Sequence, residues 1–115
     1  MKKEAISIWC DRIGKRLALV YGEAAIPIPE IESRFVAESG WKLKSILVTD
    51  RCYNRHNDGI QPTTPRMFEY VGEGEVRYLG LEYAYTGPML HKPKKKGEPE
   101  RTVGQWTNGV LAFRG

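Results

Sequence analysis

Near the start of the chain, apolar residues recur at three- and four-residue steps: Ile6, Trp9, Ile13, Leu17 and Val20, with Lys15 and Arg16 between them. That spacing predicts an amphipathic helix over residues 4–21, stopped at Gly22 and weakened at Gly14 by about 1 kcal/mol relative to alanine. Ala24-Ala25-Ile26-Pro27-Ile28 is a short apolar stretch, and Pro27 has no N–H to donate to a ladder, which confines it to a sheet edge as a small strand. Pro29 suits a first helical turn and Glu30 and Glu32 its positive end, while Ile31, Phe35 and Val36 supply one apolar face before Ser39-Gly40. A second, short helix is expected there.

Residues 45–57 read two ways. Ser45-Ile46-Leu47-Val48-Thr49 alone passes for a strand, but the uninterrupted span to Asn57, Ser45 as N-cap and the Asn57-Asp58-Gly59 stop favour a third helix. Two prolines make residues 60–66 a loop. Residues 67–71 and 75–79 are β-rich runs parted by Gly72-Glu73-Gly74, the clearest hairpin of the chain. Beyond Gly80 the pattern turns irregular until Asn108-Gly109, which predicts a small closing hairpin between Val103 and Phe113.

The order helix, short strand, helix, helix, hairpin predicts an α+β fold of winged helix-turn-helix type, with three helices, a short strand, a β-hairpin wing and an irregular C-terminal extension. The expected boundaries are 1–82 for the winged-helix-like domain and 83–115 for the extension, its basic loop and closing hairpin packed on the same domain. With 115 residues, 41% apolar and 28% charged, the chain fits one domain with a modest core and excludes wholesale disorder. No apolar run reaches a membrane span, and the opening MKKEAISIWCDR carries charges where a signal peptide is apolar, so a cytoplasmic protein without membrane contact is expected.

The net charge of +4 tolerates a polyanionic partner without demanding one. Its distribution is more informative. Lys42, Lys44, Arg51 and Arg55 stand against Asp50 alone in residues 42–57, and Lys92, Lys94, Lys95, Lys96 and Arg101 against Glu98 and Glu100 in residues 91–101. Cys10 and Cys52 are far apart, with no Cys/His pair at ligand spacing, so no metal or other cofactor is expected and both thiols read as small buried apolar residues.

On a third helix, Asp50, Tyr53, Asn54 and Asn57 would share one face with Arg51 and Arg55 alongside. Arginine forks onto guanine and asparagine pairs with adenine, so Arg51, Tyr53, Asn54, Arg55, His56 and Asn57 are the candidate base contacts, with Lys42, Lys44, Arg66 and Arg77 holding phosphates. The plainer alternative is a polar helix end, with His56 capping it and Glu69 as the cross-strand partner of Arg77. The lysine run could follow phosphates or stay solvated, and Tyr83, Tyr85 and Trp106 could stack on a base or fill the core. Catalytic motifs are missing; the best enzymatic case, metal-independent RNA cleavage by His56 and His91, has little support, so a non-enzymatic role is expected.

Thr49-Asp50-Arg51-Cys52-Tyr53-Asn54-Arg55, Phe68-Glu69-Tyr70-Val71-Gly72, Arg77-Tyr78-Leu79-Gly80, Tyr85-Thr86-Gly87-Pro88 and Val103-Gly104-Gln105-Trp106 together resemble a small bacterial and phage domain family of unassigned function. Its pattern runs SDYCYN, FEYLG, RYLG, YTGP and VGEW, over residues 45–110. Asp50, Tyr53 and Asn54 match it, whereas Arg51 stands where Tyr is usual and Gln105 where Glu is. The resemblance implies a DNA-reading accessory role beside restriction-type modules, similar to winged-helix DNA-binding domains. The expectation is therefore a double-stranded DNA binder, a regulator or a defence-associated reader, of undetermined oligomeric state. Two alternatives stand beside it: a protein-interaction module using the Tyr/Trp surface, and a working pocket formed by residues 83–88 with Trp106, for which the third helix is only scaffold.

Overall fold

A computed structural model describes residues 5–57, 64–91 and 97–114, the side chain of Ser45 excepted. Helix α1 (Ile6–Tyr21) buries Cys10, Ile13, Gly14 and Leu17. In its last turn Tyr21 packs on the core and Val20 is turned out to 78% exposure, because the drift of an α-helix brings the i+4 position, not i+3, back over Leu17. Strand β1 (Ile26–Pro27) leads directly into α2 (Ile28–Ser39), which has proline in its first turn, Glu30 near its positive end, buried Ile31 and Phe35, and Gly40 in the left-handed conformation (φ 79°) at its C-cap.

Two 3-10 turns, Leu43–Ser45 and Val48–Arg51, come next, and then β2 (Arg55–His56), β3 (Phe68–Gly72), β4 (Glu75–Tyr78), β5 (Gly87–His91), β6 (Arg101–Thr107) and β7 (Val110–Phe113). One sheet has the order β1-β4-β3, all antiparallel, with the Pro27 strand at its edge. The other has the order β2-β5-β6-β7, in which β2 runs parallel to β5 and the remaining pairs are antiparallel. Both expected hairpins are present, β3–β4 and β6–β7.

The winged helix-turn-helix arrangement is not formed. The described chain has two α-helices and two sheets, a mixed α+β fold, and residues 45–57 are not a third helix. Tertiary pairing overrides helical spacing here. The Tyr53 N–H donates to Phe68 O (2.8 Å) and the Met67 N–H to Arg51 O (2.9 Å), so the segment lies along the start of β3, with an isolated parallel bridge between Cys52 and Phe68. Asn54 completes the pairing with its side chain: Nδ2 donates to Tyr70 O and Oδ1 accepts from the Tyr70 N–H, both at 2.8 Å. The Asn57 amide donates to Thr49 Oγ1 (3.0 Å) and Asp50 Oδ1 (2.8 Å), side-chain bonds that compete with a helical backbone. Ile46 and Val48 are buried around an exposed Leu47, the alternation of extended chain. Residues 60–63 of the expected proline loop, the Asp58-Gly59 stop and the lysine run at 92–96 lie outside the described residues.

Two cores result. The larger packs α1 and α2 on the first sheet around Ile13, Ile31, Phe35, Met67, Phe68 and Val76, and it contains both free cysteines, each fully buried. The smaller gathers Tyr53, Tyr85, Met89, Val103 and Trp106 on the second sheet. Gly14 faces the first sheet closely: a Cβ there would lie 2.6 Å from Tyr78 Cδ1 and 2.7 Å from Phe68 Cε1. Gly14→Ala therefore gains helix propensity but overpacks two rings, and a net loss of about 1–3 kcal/mol is expected by denaturant titration. Stabilisation by this substitution would refute the close helix–sheet contact.

Candidate functional site

Tyr53 sits where the two cores meet. Its ring stacks on Tyr85 (centroids 5.2 Å apart, 15° between planes) and meets Trp106 edge-on at 5.2 Å. The Tyr53 hydroxyl donates to Gly80 O (2.7 Å) and accepts from the Tyr83 N–H (3.1 Å), while the Trp106 indole N–H donates to Tyr53 O (2.7 Å). These bonds fix the irregular turn of residues 80–85 against the sheet, with every polar handle of the aromatic cluster in use. The Tyr85 hydroxyl donates to Glu69 (3.1 Å), and burial followed by the Glu69 charge pushes its phenol up to about 12.

In front of this cluster opens a cleft of about 630 Å³, lined by Ser7, Tyr53, Thr64, Pro65, Arg66, Leu81, Glu82, Tyr83, Trp106, Gly109, Leu111 and Phe113. Its volume and its apolar, aromatic walls suit a small flat ligand. Tyr83 is the exposed rim ring, 45% accessible. Leu111 and Phe113 reach the cleft from alternate positions of β7, and the Asn108-Gly109 turn sets that register.

Arg66 is the one arginine of the lining and is only 3% exposed. Its Nη1 donates to Cys52 O and Arg55 O, both at 2.6 Å, while its buried Nε and Nη2 have no hydrogen-bond partner among the described residues. Desolvation lowers its pKa to about 10, so the guanidinium is charged at neutral pH. A buried cation held by two neutral carbonyls, with two further donors idle, is an energetic liability unless an acceptor comes to meet it.

The expected contact residues do not converge on one face. Tyr53 and Arg55 are buried, Arg55 pairing with Glu100 (2.7 Å) and lying 4.7 Å above the Tyr70 ring. Arg51 donates to Pro65 O (3.3 Å), Asn54 and Asn57 make the bonds given above, and the His56 ring meets Phe113 edge-on at 5.0 Å. Arg66, expected on phosphates, lies in the cleft wall. Lys42, Lys44 and Arg77 are exposed; Arg77 stands across from Glu69 in the β3–β4 register and borders a smaller cavity of about 390 Å³ with Ala18, Ile26 and Tyr78. Tyr83, Tyr85 and Trp106, read from sequence as either core or stacking groups, divide: Tyr85 lies in the second core, Tyr83 lines the cleft, and Trp106 does both, as does Tyr53. Leu81, Glu82, Leu111 and Phe113 carried no signal of their own, since only the strand register and the Tyr53–Gly80 bond bring them to the site.

The family described as "Domain of unknown function (DUF7225)" matches residues 11–113, and the chain belongs to it. "Uncharacterized protein YnaC" of Bacillus subtilis (strain 168) is 36% identical over 85 residues, which are 74% of this chain and 32% of that protein; the chain thus spans about a third of its relative's length. No solved structure matches.

Burial pushes the Cys52 thiol up to about 12 and the Cys10 thiol to about 11, from 9.0 when free. The folded state keeps these protons while the unfolded chain loses them, so the associated stability is whole below pH 9 and drains away as pH rises towards 11–12, by about 1.4 kcal/mol per pH unit for each thiol. Arg66 works in the opposite sense, but only above pH 10. Denaturant titrations should therefore show stability falling from pH 9, with a shallower fall in Cys52→Ala; equal slopes would mean that Cys52 ionises freely in the folded protein.

Proposed function

We propose that this DUF7225 domain is a non-enzymatic nucleic-acid-binding module that grips its partner at the aromatic cleft rather than through a helix laid along a groove. The observation that carries the reading is Arg66, a buried guanidinium with two idle donors in the wall of a cleft faced with Tyr53, Tyr83 and Trp106. Stacking on aromatic faces beside a cation is how proteins hold single bases without needing a groove-reading helix. The net charge of +4 and the exposed Lys42, Lys44, Arg77, Arg101 and Arg114 favour the approach of phosphates to the rest of the surface.

Labelled single-stranded DNA, duplex DNA and RNA, titrated at low and moderate salt, test this. Binding should weaken steeply with salt, because phosphate contacts release counterions, and Tyr83→Ala should lower affinity by about 1–3 kcal/mol. Tyr83 suits the purpose because its ring is exposed and the structural bond it makes comes from its backbone N–H. Absence of binding, or a Tyr83→Ala protein that binds as the wild type does, would overturn the reading.

A further inference from the structure

The arrangement of donors on Arg66 says more about the occupant than the aromatic walls do. A guanidinium has two forked edges, and here Nη1 is already committed to the Cys52 and Arg55 carbonyls. What remains is the Nε–Nη2 edge, two parallel N–H groups that fit a pair of adjacent acceptors on one rigid plane. Carboxylates, phosphates and the O6/N7 edge of guanine have that geometry.

The rest of the lining discriminates among them. Glu82 also borders the cleft, and its carboxylate opposes a second anion while accepting from N–H groups. A neutral ring with acceptors at one edge and donors at another matches a guanidinium and a carboxylate together. Guanine provides both, whereas adenine presents only one acceptor beside a donor at the corresponding edge. The stacking faces of Tyr83 and Trp106 then hold the ring, as they could not hold a bare phosphate.

We infer, on the basis of the nucleic-acid reading above, that the cleft receives a guanine base out of its stack, with Arg66 Nε–H and Nη2–H donating to its O6 and N7. Both nitrogens are closed off from solvent, so the base reaches them as an exposed side chain at the cleft, such as Leu81, turns aside. Engagement gives the two idle nitrogens of Arg66 their acceptors, which supplies a driving force that a base lacking the acceptor pair does not obtain.

The test uses the wild-type chain and short thymidine oligonucleotides carrying one central guanine, adenine, cytosine or 7-deazaguanine, together with a duplex bearing one unpaired guanine and its fully paired counterpart. The guanine strand and the unpaired-guanine duplex should bind best. Replacing N7 by carbon removes one acceptor without changing the ring's shape, and should weaken binding by roughly tenfold. The same loss should be absent in Arg66→Lys, which keeps the charge but not the fork; because the base analogue is tested on unaltered protein, the result stands even if that variant folds poorly. Guanine and 7-deazaguanine bound equally well, or adenine or cytosine preferred, would overturn the guanine assignment while leaving nucleic-acid binding in place. Equal affinity for the fully paired duplex would overturn the requirement that the base be unstacked. No binding to any strand would overturn both readings.

Discussion

Two hydrogen bonds from one nitrogen organise the centre of this molecule. Nη1 of Arg66 ties the carbonyls of Cys52 and Arg55 together, and the path of the chain between them is a turn at Tyr53 and Asn54, closed by the Arg55 N–H on Cys52 O (3.4 Å). Along that path successive side chains serve different neighbours. Cys52 enters the core under the helices, Tyr53 enters the core of the second sheet, Asn54 pairs with the backbone of β3, and Arg55 begins the strand that lies beside β5. The two sheets share no strand, so this short segment and the guanidinium that holds it set much of their mutual placement.

That dependence explains why the site sits where it does. A guanidinium that fastens carbonyls from within must be taken out of water, and only part of its hydrogen-bonding capacity is used by the fastening. Arg66 itself borders the cleft at the seam between the two cores, where a cleft can remain open without cutting into either. Residues that build the seam therefore also line it: Tyr53 and Trp106 are structural by their bonds to Gly80 and to the Tyr53 carbonyl, and ligand-facing by their rings.

Local pattern was legible wherever an element answers to its own sequence. The periodic face of α1, the proline at the start of α2, the edge position forced by Pro27 and the glycine turn of β3–β4 each follow from chemistry within a few residues. The failure fell on residues 45–57, whose conformation is decided by partners elsewhere: Phe68, Met67 and Arg66 claim backbone groups that a helix would have used internally, and Tyr70 claims the Asn54 side chain. A continuous polar and apolar run of that length does not distinguish a helix from the 3-10 turns and short strand that form, because Ile46, Leu47 and Val48 are all apolar and only the fold turns Leu47 outwards. The basic character of Arg55 and Arg66 was visible, but their burial was not, because each is brought inside by contacts to residues more than ten positions away. The turn bearing Tyr83 and Tyr85, with Trp106, gave the signal closest to the cleft.

Asn54 has one further effect, on how the molecule ends in space. Its carboxamide presents a donor and an acceptor to Tyr70 in the spacing of a peptide group, so a single side chain stands in for a neighbouring strand at the outer side of β3. Sheets left open at such an edge recruit other chains. Here that boundary is closed from within, by the Tyr53 N–H at Phe68 and by two atoms of the Asn54 side chain at Tyr70, and the first sheet stops at three strands.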